Sequence, residues 1–160
     1  MKKTLFLIGI CAVLISMPAI SAMSITSTQI LKDNNLEKAR ALPLPIDADY
    51  DGTFVGALGN IWKENGEWQH EAQAYIAGVY RDRYYKILHG NIYNLDDEQI
   101  GIITMISSRI FLIGRIENME GEKAPIVGFL IDVEEDYFVG RLMSFFGPTP
   151  HMWGQYTPIE

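Results

Sequence analysis

The hydrophobic positions along this chain recur at the spacing of short β-strands separated by turns. From residue 52 onward, runs rich in Ile, Val, Phe and Tyr alternate with polar or glycine-containing breaks. Runs of this length, bounded by turn residues, are typical of strands whose side chains alternate between two faces. The pattern predicts about eight strands, near residues 52–62, 67–80, 84–93, 99–106, 109–117, 126–133, 137–146 and 151–157.

The first turn has a strong local signal. Asn65-Gly66 lies between NIWKE and EWQHE, and both residues tolerate the positive φ that a two-residue hairpin turn requires. We therefore expect a tight turn that pairs the strands carrying Trp62 and Trp68. The segment 67–80 is the least certain strand, because its Glu, Gln and Ala residues would also suit a helix.

A glycine with apolar residues two positions before and after it recurs in most of these segments. They are FVGAL (54–58), IAGVY (76–80), LIGRI (112–116), IVGFL (126–130), FVGRL (138–142) and MWGQY (152–156). From Gly78 onward the glycines follow at steps of 11 to 14 residues. Such a step accommodates one strand and one turn, which favours an antiparallel meander.

These glycines favour a curved sheet. Glycine weakens a strand interior by roughly 0.5–1 kcal/mol relative to alanine, so its repeated use indicates a steric purpose. We expect Gly56, Gly114, Gly128 and Gly140 on the inner face, beside large apolar side chains. The predicted fold class is all-β: a single antiparallel meander of about eight glycine-punctuated strands, curled into a barrel or barrel-like sandwich. A flat sandwich with incidental glycines is the alternative.

One strand needs a cover on its outer face. Residues 126–133 are apolar on both faces, whereas a strand of a one-layer meander has one polar face. The cover is the segment before Asp47, a second sheet or another subunit.

The N-terminus has the pattern of an export signal. Lys2 and Lys3 precede an apolar run from Leu5 to Met17, and Ser21-Ala22 ends in the small residue that a signal peptidase requires. The run is shorter than the roughly 20 residues that span a bilayer. We predict a signal peptide at 1–22, with retention as an anchor as the alternative. Residues 23–46 then form a polar, proline-containing stalk with at most one short helix, and 47–160 form the β domain.

Removal of the signal peptide leaves an acidic chain without cysteine. Of the 13 basic residues two lie in the leader, so 11 basic and 20 acidic residues remain, a net charge of −9. Such a charge disfavours nucleic acid and anionic lipid as partners. The only cysteine, Cys11, leaves as well, so the mature chain has no disulfide or thiolate chemistry.

Asp47, Asp49 and Asp51, followed by Gly52, match the first half of a calcium-binding loop. Leu58 stands where such a loop needs a bidentate Glu, and prolines stand where a helix should enter. The loop is therefore not an EF-hand. A partial Ca²⁺ site completed by a distant carboxylate is one reading, and an acidic turn is the other.

The C-terminal stretch FFGPTPHMWGQYTP is the most distinctive. If they are exposed, Trp153 and Tyr156 would form an aromatic platform for sugars or a partner strand. If they are buried, they close the barrel against the first strand, which is the usual fate of such residues.

The leader, the lack of cysteine and the glycine-punctuated strands ending in FVGRLMSFFGPTPHMWGQY resemble small secreted all-β proteins, many of them archaeal, that carry no assigned function. The resemblance covers the strand region and not the stalk. It implies secretion and a β architecture, and it transfers no site residue.

These observations predict a secreted, extracytoplasmic and non-catalytic β domain that acts as a binding or envelope-associated module. One alternative is a carrier of a small apolar ligand inside a closed barrel, with a cavity lined by Phe54, Leu112, Leu130 and Phe138. The other is a hydrolase built on His151 or His89 and a carboxylate. A homo-oligomer is compatible with the pattern, and no catalytic or phosphate-binding motif is present.

Overall fold

The described residues from 50 onward form an antiparallel β-barrel that closes on itself. The structure is a computed structural model that describes residues 36, 39–44, 50–108, 110–134, 136–144 and 149–159. Each strand pairs with the next along the chain, and the last pairs with the first. The strands are β1 (Gly52–Glu64), β2 (Glu67–Asp82), β3 (Lys86–Tyr93), β4 (Gln99–Ser108), β5 (Phe111–Asn118), β6 (Lys123–Glu134), β7 (Tyr137–Ser144) and β8 (His151–Pro158). The predicted eight-stranded meander is confirmed, and 67–80 is a strand.

The repeated glycines lie on the inner face of the barrel, as predicted, but for a different steric reason. A β-carbon at Gly128 would lie 2.2 Å from the carbonyl oxygen of Arg141, and one at Gly114 would lie 2.2 Å from that of Thr104. The clash is therefore with the neighbouring backbone, whereas the sequence had suggested large neighbouring side chains. Only at Gly56 does a side chain also approach closely, where Phe138 Cζ would be 3.2 Å away. Glycine allows adjacent strands to approach at the bends.

Large apolar side chains fill the space that the strands enclose. Aromatic rings pack on one side, with ring centroids of Phe54 and Phe138 6.3 Å apart and those of Phe138 and Tyr156 4.8 Å apart. The other members of this buried cluster are Leu58, Ala74, Ile76, Tyr80, Leu88, Ile92, Ile103, Met105, Leu112, Ile126, Leu130, Leu142 and Met152.

The first hairpin turns at Asn65-Gly66, as predicted. Both residues have positive φ, 51° and 89°, and Glu64 pairs directly with Glu67. A register shift at Leu58/Gly59 turns the rest of the hairpin outward as an arm (residues 60–74). After the shift, the arm presents Ile61 and Trp68 to the outside of the barrel wall.

A second apolar cluster lies on the outside of the barrel, where part of the N-terminal segment covers the wall. Ala39 and Leu42 are buried there against Val55, Tyr75 and Trp153. The Tyr93 hydroxyl donates a hydrogen bond to the Pro43 carbonyl (2.6 Å). Thus the described residues of 23–46 pack against the barrel rather than standing away from it as a stalk.

The two barrel ends differ in their connections. The mouth end carries the β2–β3, β4–β5 and β6–β7 turns, and the hairpin end carries the arm and the β3–β4 and β5–β6 loops. Those two loops repeat one motif, an Asn four residues before a Glu. Asn118 Oδ1 accepts hydrogen bonds from the backbone N–H groups of Glu120 (3.0 Å) and Glu122 (2.9 Å), and Asn94 does the same for Asp96 and Glu98.

We expect Asn118→Ala to lower the free energy of unfolding by about 1–2 kcal/mol, because two backbone N–H groups lose their acceptor. Asn94→Ala should cost a similar amount. Asn60→Ala, an exposed position in the arm, is the control and should stay within about 0.5 kcal/mol. Urea unfolding monitored by circular dichroism measures all three, and equal stability of Asn118→Ala and the control would contradict this role for the loops.

Candidate functional site

The predicted calcium residues are only partly within the described residues. Asp47 and Asp49 lie outside them. Asp51 lies at the mouth end, where its Oδ2 accepts a hydrogen bond from the backbone N–H of Asp82 (2.6 Å). In the described part of the chain, no group of three or more His, Cys, Asp or Glu side chains is arranged to hold a metal ion. Ca²⁺ binding therefore stays a prediction, and the visible role of Asp51 is to tie β1 to the end of β2.

Trp153 lies on the outer face of β8 under the N-terminal segment, and it is fully buried. The His70 ring from the arm packs edge-on against it, with centroids 5.7 Å apart. Its indole Nε1 is buried without a hydrogen-bond acceptor among the described residues. The ring therefore offers no exposed platform in this structure and instead anchors the arm.

Tyr156 faces the barrel interior near the mouth, with 3% of its surface exposed. Its hydroxyl is buried and makes no hydrogen bond of ordinary geometry among the described residues. Burial raises the pKa of Tyr156, and the carboxylate of Asp132 nearby raises it further. Burial also raises the pKa of Tyr80, followed by the effect of Asp82. Both tyrosines are therefore neutral at physiological pH.

Lys86 closes the mouth above these rings. Its Nζ lies 3.0 Å from Asp132 Oδ2, 3.7 Å from Asp82 Oδ2 and 4.1 Å from the centroid of the Tyr156 ring. The ammonium thus occupies the place between carboxylates and an aromatic face that a cationic ligand would take. The arrangement joins β3 to β6 across the mouth, which is a structural role.

The three histidines lie on different strands and have different neighbours. His89 Nδ1 is 3.0 Å from the Thr104 hydroxyl, and His70 packs on Trp153. His151 is the register partner of Arg141. Burial and, to a smaller extent, the Arg141 charge lower the pKa of His151. None of these recorded contacts pairs a histidine with a carboxylate, as a hydrolase would require.

The most prominent surface feature is an apolar patch on the outer wall, towards the mouth end of β3 to β6. Phe111 is 56% exposed and Ile113 is 62% exposed. The strand register places the members side by side: Ile87 opposite Ile106, Ile106 opposite Ile113, Ile113 opposite Val127, and Phe111 opposite Phe129. Exposed Ile110 adjoins them in the β4–β5 turn. We call these seven residues the apolar patch.

Exposed cations border the patch. Arg115 follows Ile113 on the same face of β5, and Arg141 is the register partner of Phe129 on β7. Arg83 lies exposed in the β2–β3 turn, beside Tyr84, which is 88% exposed. Glu117, which the sequence had offered as a partner for the arginines, is instead paired with Lys123 (3.5 Å). The sequence had suggested a basic stripe of Arg115 and Arg141, and the structure places them on two sides of an apolar surface.

Part of the patch was visible in the sequence. The segment 126–133 was recognised as apolar on both faces, which predicted a cover. The described N-terminal residues cover β1, β2, β3, β7 and β8 instead, and Val127 and Phe129 stay half-exposed.

Comparison of the chain with protein-family models, with curated proteins and with solved structures gives no match. The described residues contain no helix that is long and apolar enough to cross a membrane. The following proposals therefore rest on the residues themselves.

Proposed function

We propose that this protein is an exported, non-catalytic β-barrel that acts as a binding or envelope-associated module, and that it binds its partner through the apolar patch. Export is inferred from the signal-peptide pattern of residues 1–22. The binding role is inferred from the outer wall.

The observation that carries the proposal is the contrast between two halves of that wall. On one half, Ala39, Leu42 and the arm bury Val139 and Trp153. On the other half, the isoleucines and phenylalanines of the patch stay in contact with water. Large contiguous apolar surfaces on a folded domain mark sites of interaction, whereas single exposed apolar residues do not. The chain covers its outer wall where its own segments reach, and the remainder is available to a partner.

The interior supports a binding module over a carrier. The residues that would have lined a ligand cavity, Phe54, Leu112, Leu130 and Phe138, are all within 1% of full burial and belong to one packed cluster. Lys86 and its carboxylates lie across the mouth. A ligand of the interior would have to displace these contacts.

We expect the double variant Phe111→Ser/Ile113→Ser to detach the protein from the envelope of cells that produce the full chain. Removing two exposed apolar anchors should lower the envelope-bound fraction by about tenfold or more, because each buried apolar side chain contributes roughly 1.5–3 kcal/mol. Fractionation into envelope and medium, followed by immunoblotting, measures the ratio.

The matched control is Met119→Ser. Met119 is 63% exposed in the β5–β6 loop at the hairpin end, so the substitution removes similar apolar surface far from the patch. We expect the control to distribute like the unaltered protein. Circular dichroism must show that the double variant is folded. A folded double variant that distributes like the control would refute the proposed binding role of the patch.

A further inference from the structure

We propose that the apolar patch docks onto the phosphate-bearing surface of a lipid bilayer. The inference rests on the proposed function and names the partner of the same surface. It commits to a peripheral contact in which the wall of β3 to β6 lies against the membrane.

The patch has the dimensions of an interfacial contact. One row of apolar residues crosses four strands, and a second row lies nearer the mouth end. The next row towards the hairpin end is polar: His89 lies opposite Thr104, and Thr104 opposite Arg115. The rows are two residues apart, about 7 Å along a strand. Peripheral elements bury their apolar face about 5–10 Å into the boundary between headgroups and acyl chains. The apolar strip therefore has a width comparable to a shallow insertion.

The described charges around the strip favour an anionic partner. Arg83 lies on its mouth side, Arg115 on its hairpin side and Arg141 beside Phe129, and all three are exposed. The nearest acid on the same face of β5, Glu117, is neutralised by Lys123. In a symmetric dimer formed through this strip, the arginine rims of two copies would come together, and like charges at an interface are unfavourable. Lipid phosphates would instead pair with them.

The side chains at the edge have the chemistry of a membrane interface. Tyr84 and Tyr85 are exposed in the β2–β3 turn, 88% and 47% respectively, with their rings packed edge-to-face. Tyrosine is enriched where an apolar ring meets the acyl chains while its hydroxyl stays among the headgroups. The arginines can extend their apolar stems along the strip and keep the guanidinium at phosphate level.

The acidity of the chain does not oppose this orientation, because the acids are concentrated at the other end. Residues 60–74, 94–98 and 117–123 of the hairpin end contain nine acidic and two basic residues. A strand of eight residues is roughly 26 Å long, whereas the Debye length at physiological ionic strength is about 8 Å. The local arginines therefore dominate the potential at the strip, and the acidic end points away from the membrane.

The test uses the exported protein purified from producing cells, and sedimentation with vesicles of phosphatidylcholine alone or mixed with phosphatidylglycerol. We expect binding to both, and tighter binding to the mixed vesicles. Phe111→Ser/Ile113→Ser should weaken binding to both by about tenfold or more. Arg115→Gln should weaken binding to the mixed vesicles by about fivefold and leave phosphatidylcholine binding nearly unchanged. Met119→Ser should bind like the unaltered protein.

Two outcomes would overturn the lipid inference. One is no binding to either vesicle; if the double variant is still released from the envelope of producing cells, the patch binds a protein and the proposed function stands. The other is a concentration-dependent dimer in sedimentation velocity that the double variant abolishes, which would assign the patch to a second copy of the chain. Loss of both vesicle binding and envelope release would reject the proposed function as well.

Discussion

Gly128→Val should lower the free energy of unfolding by about 3 kcal/mol or more. A β-carbon at this position would lie 2.2 Å from the carbonyl oxygen of Arg141 and 3.3 Å from the α-carbon of Leu142. Both atoms belong to the backbone of β7, so no rotamer change relieves the clash, and the two strands must separate. Overpacking typically costs 1–3 kcal/mol where side chains can adjust, and a backbone clash should lie at or above that range.

Valine has the higher intrinsic strand propensity, so the expected sign is opposite to that of propensity alone. Arg115→Val, on the exposed outer face of β5, is the control and should change stability by less than about 0.5 kcal/mol. Urea denaturation with Trp fluorescence measures both. If Gly128→Val were as stable as the unaltered protein, the glycines would not be what allows the strands to approach at the bends.

Phe138→Ala should cost about 3–5 kcal/mol, which is the usual range for truncating a phenylalanine in a packed core. Phe138 is fully buried, and its ring packs against Phe54 and Tyr156. The site cannot easily collapse, because Gly56 and Gly154 beside it have no side chain that could move into the space. The truncation therefore leaves a cavity, and the cost includes both the lost burial and the cavity itself.

The same substitution at Phe111, which is 56% exposed on the outer wall, is the matched control and should cost less than about 1 kcal/mol. Chemical denaturation of the two variants gives the difference. A cost below about 2 kcal/mol at Phe138 would indicate an interior that was already hollow, and it would favour the carrier of an apolar ligand.

The fold was predictable because its signals are local. Asn65-Gly66 determines a two-residue turn through the φ values that only a few residues adopt freely. The recurrence of apolar positions two residues from each glycine defines the inner face of each strand without reference to its neighbours. The reason for the glycines was not predictable in the same way. It depends on how closely the carbonyl of Arg141 approaches Gly128, and that distance exists only once β6 and β7 are paired.

The candidate sites were less predictable, because exposure is a property of the assembled barrel. Trp153 and Tyr156 stand three residues apart in a strand, so they point to opposite faces. Tyr156 is buried in the interior, and Trp153 is buried only because Leu42 and His70 reach its outer face. No local pattern shows that a segment more than a hundred residues away will cover a tryptophan. Likewise, Asp51 reads as a metal ligand beside Asp47 and Asp49, but its carboxylate accepts a hydrogen bond from the backbone of Asp82.

By itself, the amino-acid sequence determined the number of strands, their order, their turns and the face that each turns inward, because these follow from backbone preference and from the alternation of apolar residues. The tertiary structure alone decided which outer surfaces are covered. The alternation along β5 marks Phe111 and Ile113 as outward-facing, but the N-terminal segment and the arm happen to pack over β1 and β8 rather than over β5. Burial of an outer face depends on contacts between residues distant in the chain, and the apolar patch is the wall that those contacts leave uncovered.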